Sequence, residues 1–189
     1  SVSSSDFSDA SLDALVERAI AMAREAPEDR WAGLAPAERL LHGTPPDLDL
    51  DDGGEVEPAT LRDRAMEAED AARAVPGVTN SEGASAWASR AMVALATSGG
   101  FSGGYSFSSH GISASVLAGT GGAMQRDHAH HAARHAAMVD APAAVGRLAG
   151  ERAVARLDPV RVASGTMPVV FYRRVSASLL GHFAGAISG

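Results

Sequence analysis

Several residue types are missing or scarce in these 189 residues, and each gap removes a class of chemistry. There is no cysteine, so there is neither a disulfide framework nor a thiolate nucleophile, a usage that fits a cytoplasmic protein. Every cationic side chain apart from histidine is arginine. With no lysine, phosphate-loop and Schiff-base lysine chemistry are both excluded. Aromatic residues make up only 5% of the chain, so the 46% that is hydrophobic must build its core from alanine, valine and leucine. No run approaches the roughly 18 apolar residues of a membrane span, and no signal peptide is visible, although the native N-terminus is expected to lie outside this sequence. No aspartate or glutamate follows Asp158.

The charge that is present is unevenly placed. Residues 1–75 hold 18 acidic side chains and 7 arginines, a balance of −11, whereas residues 76–189 hold 5 and 9, a balance of +4; together they give the net −7. An acidic first half repels a phosphate backbone and the arginines of the second half are scattered, which argues against direct nucleic-acid binding.

Periodicity outlines the elements. Asp9 or Ser11 can cap a helix to about Arg24, with Leu12, Leu15, Val16 and Ile20 on one face, an amphipathic pattern that suits packing on a sheet. Residues 28–57, rich in Pro, Asp and Gly, read as a long surface connection with one helical turn near Pro36–Leu41. Within it the run Asp47, Asp49, Asp51, Asp52 resembles a calcium loop by composition only, since it lacks that loop's glycine and distal glutamate. Pro58 opens a second helix to about Ala74. Residues 78–127 change to short Ala, Ser, Val and Thr segments separated by glycine pairs, the punctuation of an antiparallel meander. Strands are expected at 84–90, 92–97, 104–115 and 124–129. Asp140 and Pro142 then start a third helix, with Val145, Leu148, Ala149, Ala153 and Leu157 inward, and Asp158-Pro159 closes it.

Candidate chemistry is sparse. The glycines of SGGFSGG are better explained by hairpin turns than by a nucleotide cradle, because no Gly-Lys-Ser/Thr follows. Serines abound without a Gly-x-Ser-x-Gly elbow. In DHAHHAARH, His128, His131 and His135 would share one face of a helix and could ligate a single Zn²⁺. Read as a strand, the segment instead puts His128 and His130 on one side and His131 on the other, and the triad is broken. At the end of the chain, Met167–Tyr172 reads as a short strand leading into an apolar helix from about Arg174 to Ile187. Gly181, Gly185 and Gly189 form a small-residue ridge along it, which spacing assigns to tight packing against a sheet rather than to a cleft.

Several stretches together carry a resemblance: ARAVPGVTNSEGAS, ATSGGFSGGYSFSSH, MQRDHAHHAARH, VGRLAGERAVARLDPVRVASG and PVVFYRRVSASLLGHFAGAISG. The chain resembles the TldD/PmbA (TldE) family, once called modulators of DNA gyrase and now regarded as metalloprotease components. In the TldD branch the last helix carries a His-Glu-x-x-x-His zinc motif. The matching positions here are Gly181, His182, Phe183, Ala184, Gly185 and Ala186, so the likeness is to the PmbA/TldE branch.

That resemblance implies an α+β fold, helices on a largely antiparallel sheet, cut from a longer protein. Residues 1–27 would end an N-terminal part, residues 28–160 would form the central domain, and residues 161–189 would open a C-terminal unit. It implies no catalytic residue and no cofactor in this chain, with zinc supplied by a TldD-like partner and a peptide or unfolded protein as substrate. It also implies a recurring polar frame of Arg126, Asp127 and Arg134, with aromatic residues usual where His128 and His130 stand, which argues against a metal there. Gly181, His182 and Gly185 join that frame as candidate substrate or interface residues. The competing reading is a non-enzymatic modulator that acts as a homo-oligomer.

Overall fold

Alternation along one long strand decides where the chain buries its side chains. In the computed structural model, which describes residues 1–188, Ser108, His110, Ile112, Ala114, Val116 and Ala118 are all buried, one residue in two. They lie on β2 (Ser102–Ala118), the middle strand of an antiparallel sheet that also contains β1 (Val78–Ala96) and β3 (Gln125–Ala133). Four helices complete the α+β fold: α1 (Asp9–Glu25), α2 (Pro58–Arg73), α3 (Pro142–Val154) and α4 (Arg173–Ser188). The two prolines stand where a missing amide proton costs nothing, at the first helical positions.

The chain divides into two compact units, and the long strands run through both. Unit 1 comprises Ser1–Arg64, Ala86–Ile112 and His131–Asp140. Its buried side chains are Ser108, His110, Ile112 and Val139, so half of this small interior is polar. Trp87 of β1 lies over Gly111 of β2, where any side chain would collide with the indole. Unit 2 comprises Ala65–Ser85, Ser113–His130 and the chain from Ala141 onward. Its core is aliphatic and small: Ala68 and Ala72 from α2, Ala114, Val116 and Ala118 from β2, Ala129 from β3, and Val145, Ala149 and Ala153 from α3. With side chains this short, depth of packing depends on backbones coming close. Gly146 and Gly150 allow it. A Cβ at 146 would overlap the Ala68 carbonyl, and one at 150 would lie 2.9 Å from the Ala72 carbonyl oxygen and 2.6 Å from Val75 Cγ2.

Several expectations from sequence are corrected. The strands expected at 84–90 and 92–97 are one strand, β1, because Ala91 offers no turn chemistry to separate them. Of the glycine pairs, Gly99-Gly100 and Gly121-Gly122 sit in the connections, but Gly103-Gly104 lies inside β2. There Gly104 lets the Val93 carbonyl approach to 2.7 Å of where a Cβ would be. The residues Met167–Tyr172 do not form a strand. β-propensity is a fit to neighbouring strands, and none lies beside them among the described residues. The α1 face of Leu12, Val16 and Ile20 is exposed and not covered by a sheet. Asp140 does not cap α3, whose preceding residue is Ala141; its amide instead donates to His131 Nδ1 at 3.0 Å.

Candidate functional site

Sequence reasoning singled out three groups of residues, and the fold sends them to different places. The histidine segment is β3, so the helical triad is overturned: His128 and His130 stack with ring centroids 5.9 Å apart, and His131 points to the opposite face. Each of the three candidate ligands has its own carboxylate: Asp127 3.9 Å from His128, Asp140 3.5 Å from His131, and Asp49 3.0 Å from His135. No three His, Cys, Asp or Glu side chains converge in a metal-ligating arrangement among the described residues.

The polar frame is also divided. Arg126 reaches Glu82 at 3.1 Å, and Glu82 accepts a 2.7 Å bond from Ser115. That hydroxyl, with Arg126, holds the Glu82 carboxyl below the ordinary carboxylate value. Asp127, only 7% exposed, takes the guanidinium of Arg174 at 2.7 Å, with Arg156 at 3.6 Å and the His128 amide at 2.7 Å. Burial pushes the Asp127 carboxyl up, but the Arg174 and His128 hydrogen bonds and the two guanidinium charges outweigh it and hold it low. Arg174 lies in the first turn of α4, so this pair fixes the start of that helix to β3. Burial and the same Arg174 charge push the His128 imidazole down. Arg134, in unit 1, donates to the Ser108 carbonyl at 3.2 Å and lies over the Phe107 ring.

The third group lies on α4, where no residue is buried. Nothing comes within 4 Å of a Cβ placed at Gly181 or Gly185, which corrects the expectation of tight packing; Gly189 lies outside the described residues. Positions 181–186 offer one imidazole and no carboxylate. A hydrolytic zinc takes about three protein ligands together with a base for its water. These residues do not fit that ion.

A further site, not singled out from sequence, is a cavity of about 920 Å³ in unit 1. Its floor is the far end of the β1–β2 hairpin, with Val93, Leu95, Tyr105 and Phe107; its roof is the strap of residues 41–52. The aspartates that superficially resembled a calcium loop tether this strap. Asp49 faces His135, and Asp51 binds Arg90 at 2.8 Å. Asp52 accepts the Ala136 amide at 2.9 Å, while its own amide donates to Ser108 Oγ, which in turn donates to the Arg134 carbonyl at 2.6 Å. The Gly53 amide holds the Asp51 carboxyl low and the Ala136 amide does the same for Asp52. His135 is pushed up, first by its bond to the Asp49 carbonyl and then by the carboxylates beside it.

Asp52 also lies 2.9 Å from Nε2 of the buried His110, though off the hydrogen-bonding direction, and His110 Nδ1 has no partner among the described residues. Here the fold supplies the His/Asp pair that sequence alone could not assign. Ser108 beside it is fully buried and committed to a backbone carbonyl, so the three form a structural lock and not a hydrolytic triad.

Comparison with known proteins is consistent in one direction. Residues 51–157 match the family described as the PmbA/TldA metallopeptidase central domain. The chain is 35% identical to the metalloprotease PmbA of Escherichia coli over 190 residues, and 31% identical to a metalloprotease PmbA homolog of Haemophilus influenzae over 188. It is covered over 100% and 99% of its own length, and spans 42% of each relative. Among solved structures it is similar to a candidate modulator of DNA gyrase from Bacteroides thetaiotaomicron, with a TM-score of 0.76 and 21% identity over 87% of this chain and 38% of that one. It is also similar to TldE from Thermococcus kodakarensis, with a TM-score of 0.52 and 18% identity over 82% and 33%. These two likenesses concern the fold.

Proposed function

This chain belongs to the PmbA/TldD metallopeptidase family, and we propose that it serves there as the PmbA/TldE-type subunit, without a catalytic metal of its own, beside a TldD-like zinc subunit that cleaves peptides or unfolded proteins. The observation that carries this reading is the composition of α4. Where the zinc-bearing branch would hold two histidines and a glutamate, this helix holds Gly181, His182, Phe183, Ala184, Gly185 and Ala186, and no carboxylate follows Asp158. The ion and the base therefore come from the partner. In this reading the chain's own contribution is surface: the Asp127–Arg174 pair sets where α4 starts, and Gly181, His182 and Gly185 stand exposed along it. The acidic first half of the sequence argues for a protein partner rather than a nucleic acid.

The test is direct. The intact protein is purified alone and again with a TldD-like subunit, and zinc content and cleavage of an unfolded peptide are measured for both. Zinc and chelator-sensitive cleavage are expected only in the paired preparation. Stoichiometric zinc with cleavage by the protein alone would overturn the assignment, and a stable homo-oligomer that never pairs would favour the modulator reading.

A further inference from the structure

Arginines that are scattered in the sequence are gathered by the fold along β3, the last strand of the sheet. Arg152 of α3 donates from Nη1 to the His128 carbonyl at 3.1 Å, and Arg174 of α4 reaches the same oxygen from Nη2 at 3.4 Å. Two cations thus share one neutral acceptor. A third, Arg156, stands 3.6 Å from Asp127, which already holds Arg174 at 2.7 Å. All of these residues lie in unit 2. Three guanidiniums therefore meet a single carboxylate. Glu151 and Asp158, the nearest carboxylates in sequence to Arg152 and Arg156, form no ion pair with any of the three among the described residues, and Glu82 is taken by Arg126. The start of α4 adds to the imbalance. It carries Arg173 and Arg174 and has no acidic residue in its first turn, although the positive end of a helix dipole repels cations and attracts anions. Donors are also left over. A guanidinium has five N–H groups; Arg174 spends those of Nη2 and Arg152 uses Nη1, and their remaining nitrogens meet no protein acceptor among the described residues. His128 registers the field: burial pushes its imidazole down, and the Arg174 and Arg152 charges add to that.

We propose that Arg152, Arg156 and Arg174, with His128 beside them, form a binding site for a single phosphate group, either the free ion or a monoester. Three guanidiniums against the one Asp127 carboxylate leave an excess of two positive charges, which matches a phosphate dianion. A carboxylate would answer half of it. Guanidiniums arriving from α3, from the turn behind it and from α4 can offer N–H groups to several oxygens at once, the recognition at which arginine excels. One compact site of this kind differs from the line of phosphates on a nucleic acid, which the acidic first half of the chain repels. The inference is independent of the pairing with a zinc subunit proposed above.

The probes are inorganic phosphate, phenyl phosphate and acetate, titrated calorimetrically at fixed ionic strength near pH 8 into the intact protein without a partner subunit, where phosphate is mainly the dianion. Both phosphates are expected to bind at least tenfold more tightly than acetate, and the tighter of the two identifies the free ion or the monoester as the ligand. Arg152→Gln should weaken phosphate about tenfold, the loss of one charge-assisted bond. Its circular dichroism should match the wild type, because the only protein group Arg152 binds is the His128 carbonyl. Arg152→Lys keeps the charge without the paired N–H groups and should fall between. Arg62→Gln removes an equal charge in unit 1 and should leave the affinity unchanged. In nuclear magnetic resonance, saturating phosphate should move the His128 titration to higher pH, since a nearby anion favours the charged imidazole. Equal binding of acetate and phosphate would overturn the proposal even if Arg152→Gln fails to fold. So would a loss in Arg62→Gln as large as that in Arg152→Gln, or a His128 titration that phosphate leaves in place.

Discussion

Two glycines in different helices should respond to the same substitution with opposite signs. In Gly146→Ala the new methyl must overlap the carbonyl of Ala68, a backbone atom that cannot swing aside, so α3 and α2 have to separate. In Gly185→Ala the methyl meets nothing within 4 Å. Both changes gain the same helix propensity, about 1 kcal/mol. Overpacking a tight contact costs about 1–3 kcal/mol. The propensity gain cancels in the comparison, so the difference between the two variants reads the contact itself: α4 gains up to about 1 kcal/mol, while α3 loses roughly 0–2 kcal/mol net. Hydrogen exchange followed by mass spectrometry measures each helix separately, which suits elements whose stabilities differ. For a chain of this size each kcal/mol also moves Tm by about 2–4 °C, which gives an independent reading for Gly146→Ala. A Gly146→Ala protein whose α3 is better protected than the wild type, by as much as α4 gains in Gly185→Ala, would refute the close approach of the two helices.

Two further outcomes follow from the ion pairs. Arg174→Met leaves the buried Asp127 carboxylate with Arg156 at 3.6 Å as its remaining guanidinium, beside the His128 amide at 2.7 Å. Because Arg174 is partly solvated, the loss should be about 1–3 kcal/mol rather than the 3–5 kcal/mol of a fully buried pair. It should appear as faster exchange in the first turn of α4, and unchanged exchange there would contradict the tether. The Asp127 carboxyl is held low, so its contribution is present above the ordinary carboxylate value and lost as pH falls through the depressed one; Arg174→Met should shift acid unfolding to higher pH. His135 has the opposite sign. Its imidazole is held above the usual 6.5, so its hold on the strap is complete below that value and lost as pH rises through the raised one. Exchange at residues 49–52, corrected for intrinsic rates, should be slower near pH 6 than near pH 8. The difference should vanish in His135→Gln, and an equal pH dependence in that variant would dismiss the link.

What could be read in the sequence was whatever a local rule controls. Pro58 and Pro142 marked helix starts because a proline there sacrifices no bond, and the glycine pairs at 99–100 and 121–122 marked strand ends. The family likeness rested on such local strings. Contacts between distant segments were not legible. Gly181 and Gly185 drew notice for a spacing that Gly146 and Gly150 share, yet only the latter pair has a helix against it, and no periodicity encodes the neighbour. Asp52 and His110 meet across 58 positions of sequence, and the aspartates around them read as a composition until the strap put each beside its own partner. Met167–Tyr172 had the residues of a strand without a strand to pair with.

The middle strand has a consequence for folding errors. In an antiparallel sheet a slip of one residue exchanges the two faces, and strands poor in large side chains usually resist it weakly. Here such a slip would turn Ile112 and Val116 out to water and at the same time carry Ser108 away from both the Asp52 amide and the Arg134 carbonyl. Greasy and polar contacts at opposite ends of one strand thus veto the same mistake, so alignment is checked twice in a protein whose alanine-rich interior could not enforce it alone.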